Sequence, residues 1–328
     1  IPKAYGGAEV DSISYAIAVE ELSRVSAAIG LCITVHNSVG IYPILAFGTK
    51  EQQERLVPPM ASGDSIGAFC LTEANAGSDA GGVETMAVKT DDGYLINGTK
   101  IFVTNGGACG TVLVFANLQA EGKKPMASLF VVEKDCKGFE VGELEDLCGM
   151  RANPVSSLFF ENCLVPETNL LGRPGQGFKI GLTALDTGRI GIASQALGIA
   201  QAAFESALSY AKERHQFNRP LSAFQTIENY LAQMATQIDA SRLLVYRAAA
   251  LKDSGRPFSA EASMAKLHCS RTAKEVTDMA VQIHGGYGYS KEYDVERYYR
   301  DAKVTEIYEG TSEVQKMVIA RSILAQPV

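Results

Sequence analysis

The chain changes its hydrophobic period twice. Residues 14–25 and 50–60 carry apolar side chains at helical spacing with acidic exteriors. Leu56, Val57 and Met60 fall on one face, and Gly63 closes the run. From about residue 66 to 165 the pattern becomes that of strands. Residues 94–104 read as two β-rich runs around Asn97-Gly98, a dipeptide that favours a tight hairpin because both positions need φ > 0. Residues 111–116, 128–133 and 156–160 are further strands bounded by turns, and short strands without intervening helices predict an antiparallel barrel or sandwich. Beyond about residue 175 helices return. Ala193, Leu197, Ala200, Phe204, Leu208 and Ala211 form one apolar stripe, and residues 229–252, 259–285 and 313–325 add three more helical runs. The expected organisation is a helical N-terminal domain over 1–64, a central antiparallel β-domain over 65–170, and a C-terminal four-helix bundle over 171–328.

Composition narrows the partners. The 328 residues are 46% apolar and 20% charged, which suits an ordinary globular protein with a large interior. A net charge of −7 argues against nucleic acid or an anionic membrane surface. Seven cysteines lie at 32, 70, 109, 136, 148, 163 and 269, never close enough for a CxxC pair, and read as buried or free thiols of a reducing compartment. The apolar residues 25–47 are interrupted by His36, Asn37 and Pro43, so core helices are expected there and not a bilayer span. The chain opens at Ile1-Pro2, not at methionine, and a preceding segment is expected.

Three familiar chemistries find no support. Gly93 to Lys100 approaches a phosphate-loop pattern, but the last two residues are transposed and the segment reads as a hairpin, not a strand-to-helix loop. A GxGxxG fingerprint is absent. No histidine follows a glutamate at i+3, as a carboxylate di-iron bundle requires.

Five segments carry unusual chemistry. Phe69-Cys-Leu-Thr-Glu-Ala-Asn-Ala-Gly-Ser-Asp79 combines hydroxyls with small residues, so backbone can approach an anionic or heterocyclic ligand; a plain strand-exit loop would read the same. Val103-Thr-Asn-Gly-Gly107 ends a strand in a hydroxyl and two glycines, or in a simple turn. Asp186-Thr-Gly-Arg189 reads as a helix start, with the acid and base at i, i+3 as for a mutual ion pair. In Gln282-Ile-His-Gly-Gly-Tyr-Gly288, one glycine caps a helix and three indicate close packing against backbone; His284 suits a structural role or a catalytic one. Glu309 sits between Tyr308 and Gly310, where apolar neighbours would raise its pKa into the range of a base, unless it is a solvated loop carboxylate.

Taken jointly and in this order, these motifs identify the chain as resembling the acyl-CoA dehydrogenase family, in its short-chain (butyryl-CoA) branch. The likeness runs over essentially the whole chain. It implies FAD as cofactor and α,β-dehydrogenation of a short-chain acyl-CoA to the trans-2-enoyl-CoA, with Glu309 taking the α-proton and flavin N5 the hydride. It implies that Phe69, Leu71, Thr72, Gly77, Ser78, Phe102, Val103 and Thr104 hold FAD. Arg214, Phe217, Gln225, Gln282, Ile283, Gly285 and Gly286 reach the FAD of a neighbouring subunit, and Thr311, Ser312 and Glu313 complete the cofactor site. Ser78, Asp186, Thr187, Gly188, Arg189 and Gly310 contact the acyl-CoA. No metal is implied. Electron-transferring flavoprotein is the implied electron acceptor, a homotetramer built as a dimer of dimers the implied assembly, and bacterial cytoplasm or mitochondrial matrix the implied location. Relatives that carry their base on the helix place it two residues after the aspartate matching Asp186; that position is Gly188, leaving Glu309 alone. Three positions depart from the family pattern: Phe102 for a tryptophan, Ala74 for a proline, and Asn218 for a glycine. A branched-chain dehydrogenase, an oxidase and a non-catalytic acyl-CoA-binding subunit are the alternatives.

Overall fold

The computed structural model describes residues 1–119 and 124–325. Two compact units partition the chain. One comprises Ile1–Val10, Cys32–Asp146 and Ala152–Gly188; the other comprises Asp11–Leu31, Leu147–Arg151 and Arg189–Val328.

Four helices open the sequence: α1 (Ser12–Val25), α2 (Ala27–Val35), α3 (Tyr42–Phe47) and α4 (Lys50–Ser62). A capping box starts α4, where Gln52 N donates to Thr49 Oγ1 and Thr49 N to Gln52 Oε1; Gly63, at φ 86°, ends it. Leu56, Val57 and Met60 are buried together with Ile41, Ile44, Leu113, Phe115 and Val131. Among the described residues one stretch, Ala27–Phe47, is long and apolar enough to cross a membrane. Of its most apolar window 61% is buried inside the protein, as in a core helix.

The sheet of the first unit has eight strands: β1 (Ile66–Cys70), β2 (Met86–Thr90), β3 (Gly93–Val103), β4 (Cys109–Gln119), β5 (Met126–Glu133), β6 (Phe139–Leu144), β7 (Ser156–Val165) and β8 (Leu170–Leu171). Their order is β6-β7-β3-β2-β4-β5-β8, with β1 also on β4. Most pairings are antiparallel; β1 and β2 each run parallel to β4. Inward residues such as Ala68, Ile96, Val112, Val114, Phe130 and Leu158 make one core.

The expected hairpin at Asn97-Gly98 is not formed. Strand β3 runs straight through both residues, and the turn falls at Asp91-Asp92, beyond the Thr90–Gly93 pair. The glycine serves close approach: a Cβ at Gly98 would lie 2.4 Å from Thr85 Oγ1. It also sits at a register shift against β7, where strand glycines commonly occur.

The second unit is helical. It takes α1, the part of α5 (Gly177–Glu213) from Arg189 onward, α6 (Gln225–Asp253), α7 (Ser259–His284), the short α8 (Val295–Val304) and α9 (Ser312–Leu324). Ala193, Ala200, Val245, Ala248, Ala262 and Ala273 are fully buried. Such small side chains let helices approach closely, and a Cβ at Gly198 of α5 would lie 2.3 Å from the carbonyl oxygen of Glu20 in α1. The fold class expected from the sequence, N-terminal helices, a central β-domain and a C-terminal bundle, is the one observed.

Candidate functional site

In the first unit the segment after β1 is tied to the end of β3. Glu73 accepts from Glu84 N, Thr85 N and Thr85 Oγ1, and from the buried Lys100 Nζ at 2.7 Å. Lys100 also donates to Leu71 O, and Ile101 N donates to Thr72 O. Burial pushes the Glu73 carboxyl up, but the bonds from Lys100, Thr85 and Glu84 outweigh it and hold the group ionised. Phe69, Leu71 and Thr72 are half-buried, and Gly77 and Ser78 face solvent. Beside them Phe102 adopts φ 53° at an irregularity in the β3–β7 register and leaves 58% of its surface exposed. Val103 is buried and Thr104 half-buried. Asn105 is structural: its Nδ2 donates to Cys32 O and Gly67 O, and it exchanges hydrogen bonds with Asn153.

Asp186, Thr187, Gly188 and Arg189 do not begin a helix. They lie inside α5, which starts at Gly177, because the glycines at 177 and 181 are accommodated in the helix instead of ending it. Gly177 packs so closely that a Cβ would lie 2.8 Å from Ala127 C and O. Thr187 and Arg189 are buried, and Arg189 Nη1 reaches Ser263 Oγ at 3.4 Å.

In the second unit a cleft of about 680 Å³ brings together Arg214, Ile283, Gly285 and Gly286, with Tyr210 and Tyr287 among its walls. A Cβ at Gly285 or Gly286 would meet nothing within 4 Å, so their backbone faces open space, whereas one at Gly288 would lie 2.4 Å from Val281 O. His284 is structural: Nδ1 pairs with Ala280 O at 2.8 Å and the ring stacks on Tyr210. Phe217 and Asn218, both at positive φ, turn the short hairpin between β9 (His215–Gln216) and β10 (Arg219–Pro220). Phe217 is 89% exposed, and Gln225 and Gln282 are also exposed.

Glu309 lies in the turn between α8 and α9 at φ 50°, followed by Gly310 at φ 96°. The residue is half-buried, but both carboxylate oxygens are buried and accept no hydrogen bond among the described residues. Burial pushes the carboxyl up to about 7, against the opposing pull of Lys266 and Arg189. The preceding Tyr308 donates its hydroxyl to Gln195 Oε1, whose Nε2 donates to Ala27 O. Thr311 Oγ1 caps α9 by accepting from Val314 N, with the half-buried Ser312 and exposed Glu313 in the first turn.

The acyl-CoA dehydrogenase N-terminal, middle and C-terminal domain families match residues 1–64, 68–163 and 175–324. The chain belongs to the acyl-CoA dehydrogenase family. It is 50% identical over 321 residues to a short-chain specific acyl-CoA dehydrogenase of Clostridium acetobutylicum, covering 98% of this chain and 85% of that one. The structure of butyryl-CoA dehydrogenase from Megasphaera elsdenii superposes with TM-score 0.96 at 47% identity, covering 99% of this chain and 86% of that one. A structure described as electron transferring flavoprotein of Acidaminococcus fermentans superposes with TM-score 0.97 at 47% identity over the same shares.

Acyl-CoA dehydrogenases are FAD-dependent oxidoreductases, and the residues present fit that cofactor. The open Cα positions of Gly285 and Gly286 leave a ledge beside Arg214 that can receive a phosphate-bearing group. Phe102 offers an exposed ring for a heterocycle edge. Sequence reasoning missed Lys266, Gln315 and Gln195, all fully buried around the Glu309 turn. A signal existed for Lys266: it interrupts the apolar face of α7 formed by Ala262, Ala265 and Cys269.

Proposed function

We propose that this acyl-CoA dehydrogenase oxidises short-chain, butyryl-type acyl-CoA thioesters to trans-2-enoyl-CoA, with Glu309 as the base that removes the α-proton. One observation carries the reading: a buried carboxylate whose two oxygens have no hydrogen-bond partner among the described residues, in a left-handed turn. An ionised acid without donors is poorly solvated and therefore basic, and nothing hydrogen-bonded to it must be displaced before it reaches a C–H. Because burial brings Glu309 to about 7, it is substantially ionised near neutrality yet basic enough to take a proton from carbon. FAD held at this site would supply the two-electron oxidant for the β-hydrogen, leaving the α-proton to Glu309.

In the first unit we assign Phe69, Leu71, Thr72, Gly77, Ser78, Phe102, Val103 and Thr104 to FAD, and Ser78, Asp186, Thr187 and Gly188 to the thioester substrate. In the second unit Arg189 and Gly310 are assigned to substrate, and Thr311, Ser312 and Glu313 to FAD. Arg214, Phe217, Gln225, Gln282, Ile283, Gly285 and Gly286 are assigned to the FAD of a neighbouring subunit in a homotetramer. The exposed Phe217 and the solvent-facing ledge at Gly285 support that assignment. The short-chain preference rests on the Clostridium and Megasphaera relatives, and electron-transferring flavoprotein as acceptor on the Acidaminococcus structure.

The test is Glu309→Gln, which keeps the volume and removes the base. The variant is expected to remain yellow and to bind butyryl-CoA. Anaerobic flavin bleaching should slow by at least roughly two to four orders of magnitude. Bleaching at the parental rate overturns the assignment.

A further inference from the structure

The turn that presents Glu309 is built on unfavourable backbone. Glu309 and Gly310 occupy the left-handed region in succession; glycine does so freely, whereas for glutamate it costs on the order of 1 kcal/mol. Something must over-determine the turn. The consecutive carbonyls of Glu309 and Gly310 are held by two fully buried side chains from different helices. Lys266 of α7 donates from Nζ to Gly310 O at 2.8 Å. Gln315 of α9 donates from Nε2 to Gly310 O at 2.8 Å and to Glu309 O at 3.2 Å.

Geometry alone does not require a lysine here. Burying an ammonium costs several kcal/mol, and Gln315 already shows that a neutral amide can hold the same carbonyl. The ammonium is bonded to a backbone carbonyl and makes no hydrogen bond to the Glu309 carboxylate oxygens, which accept none among the described residues. Its charge therefore reaches the carboxylate through space without occupying the atoms that take the proton.

We propose that Lys266 and Gln315 are positioning residues for Glu309: both clamp the carbonyls of its left-handed turn, and the charge of Lys266 keeps the carboxylate available as an anion. The proposal rests on the reading of Glu309 as the base. The groups that act on Glu309 are Lys266 from α7 and Arg189 from α5, both favouring the ionised form. Lys266 in turn faces Glu309, Arg189, Glu306 and Glu313; burial lowers it to about 8 while Glu309 supports its charge. The two roles separate by residue. Lys266 supplies geometry and field, Gln315 geometry only.

The experiment compares Lys266→Gln, Lys266→Arg and Gln315→Met in the FAD-loaded enzyme. Anaerobic flavin reduction by butyryl-CoA is followed across pH, with infrared difference titration of the Glu309 carboxyl in each protein as a second readout. Glu309→Gln identifies the carboxyl band. Lys266→Gln is expected to move both the kinetic and the infrared midpoint at least about one pH unit upward. Its rate near pH 7 should fall on the order of tenfold and recover at higher pH. Gln315→Met should lower the high-pH plateau with the midpoint unmoved, and Lys266→Arg should keep the parental midpoint. A Lys266→Gln enzyme with parental midpoints overturns the proposal. Should that variant not fold, a shifted midpoint in Lys266→Arg overturns it instead. Failure of the base assignment is distinguishable, because Glu309→Gln would then reduce flavin at the parental rate whatever Lys266 does.

Discussion

Lys100 Nζ lies 2.7 Å from Glu73 Oε1, with both side chains withdrawn from solvent. The pair spans from the segment after β1 to the interior of β3, and Lys100 also holds the carbonyl of Leu71. It thus fixes Leu71 and Glu73 within the segment assigned to FAD.

Removing one partner of that pair leaves a buried charge uncompensated. Glu73→Gln is expected to cost about 3 kcal/mol or more in chemical denaturation. The double variant Glu73→Gln/Lys100→Met should recover part of the loss, and FAD retention should follow the same order. Additive losses would show that the two residues are not coupled.

Glu309 ties stability to pH. Its folded pKa of about 7 lies above the ordinary 4.5, so the folded chain keeps a proton that the unfolded chain has lost. Stability should therefore fall as pH rises between those values. Lys266, lowered to about 8, acts in a separate and higher window. Glu309→Gln should match the parent below about pH 5 and exceed it by on the order of 1–3 kcal/mol near pH 8, read from unfolding curves at each pH.

Phe102 combines an exposed ring with a left-handed backbone. Phe102→Ala should leave the stability of the FAD-free protein within about 0.5 kcal/mol and speed the release of FAD measured by ultrafiltration. Unchanged release would remove Phe102 from the cofactor site.

Arg214 lines the cleft below Gly285 and Gly286, and its guanidinium lies 5.7 Å from the Tyr287 ring centroid. Arg214→Ala is expected to loosen FAD at least on the order of tenfold. The secondary structure seen by circular dichroism should not change. Retained FAD in that variant would count against a shared cofactor site.

Gly288 has no room for a side chain, since a Cβ would meet Val281 O at 2.4 Å. Gly288→Ala should lower stability by about 1–3 kcal/mol, read from the midpoint of thermal unfolding.

The order of elements was legible in the linear chain, and so was the residue we propose as the base. Helical period, strand alternation and the glycine- and hydroxyl-bearing motifs are local properties that survive without coordinates. Local signals also misled. Asn97-Gly98 has the composition of a turn, but Thr85, brought near by strand pairing, uses the glycine for close approach inside β3. Asp186 looks like a helix start because acids favour that position, yet α5 begins at Gly177 and carries it in its interior. What only the tertiary structure decided is the environment of Glu309. Lys266 and Gln315 lie 43 residues before it and six after it in sequence; they reach its turn because α7 and α9 pack together. Burial and through-space charge depend on distance in three dimensions, and sequence separation carries no record of either.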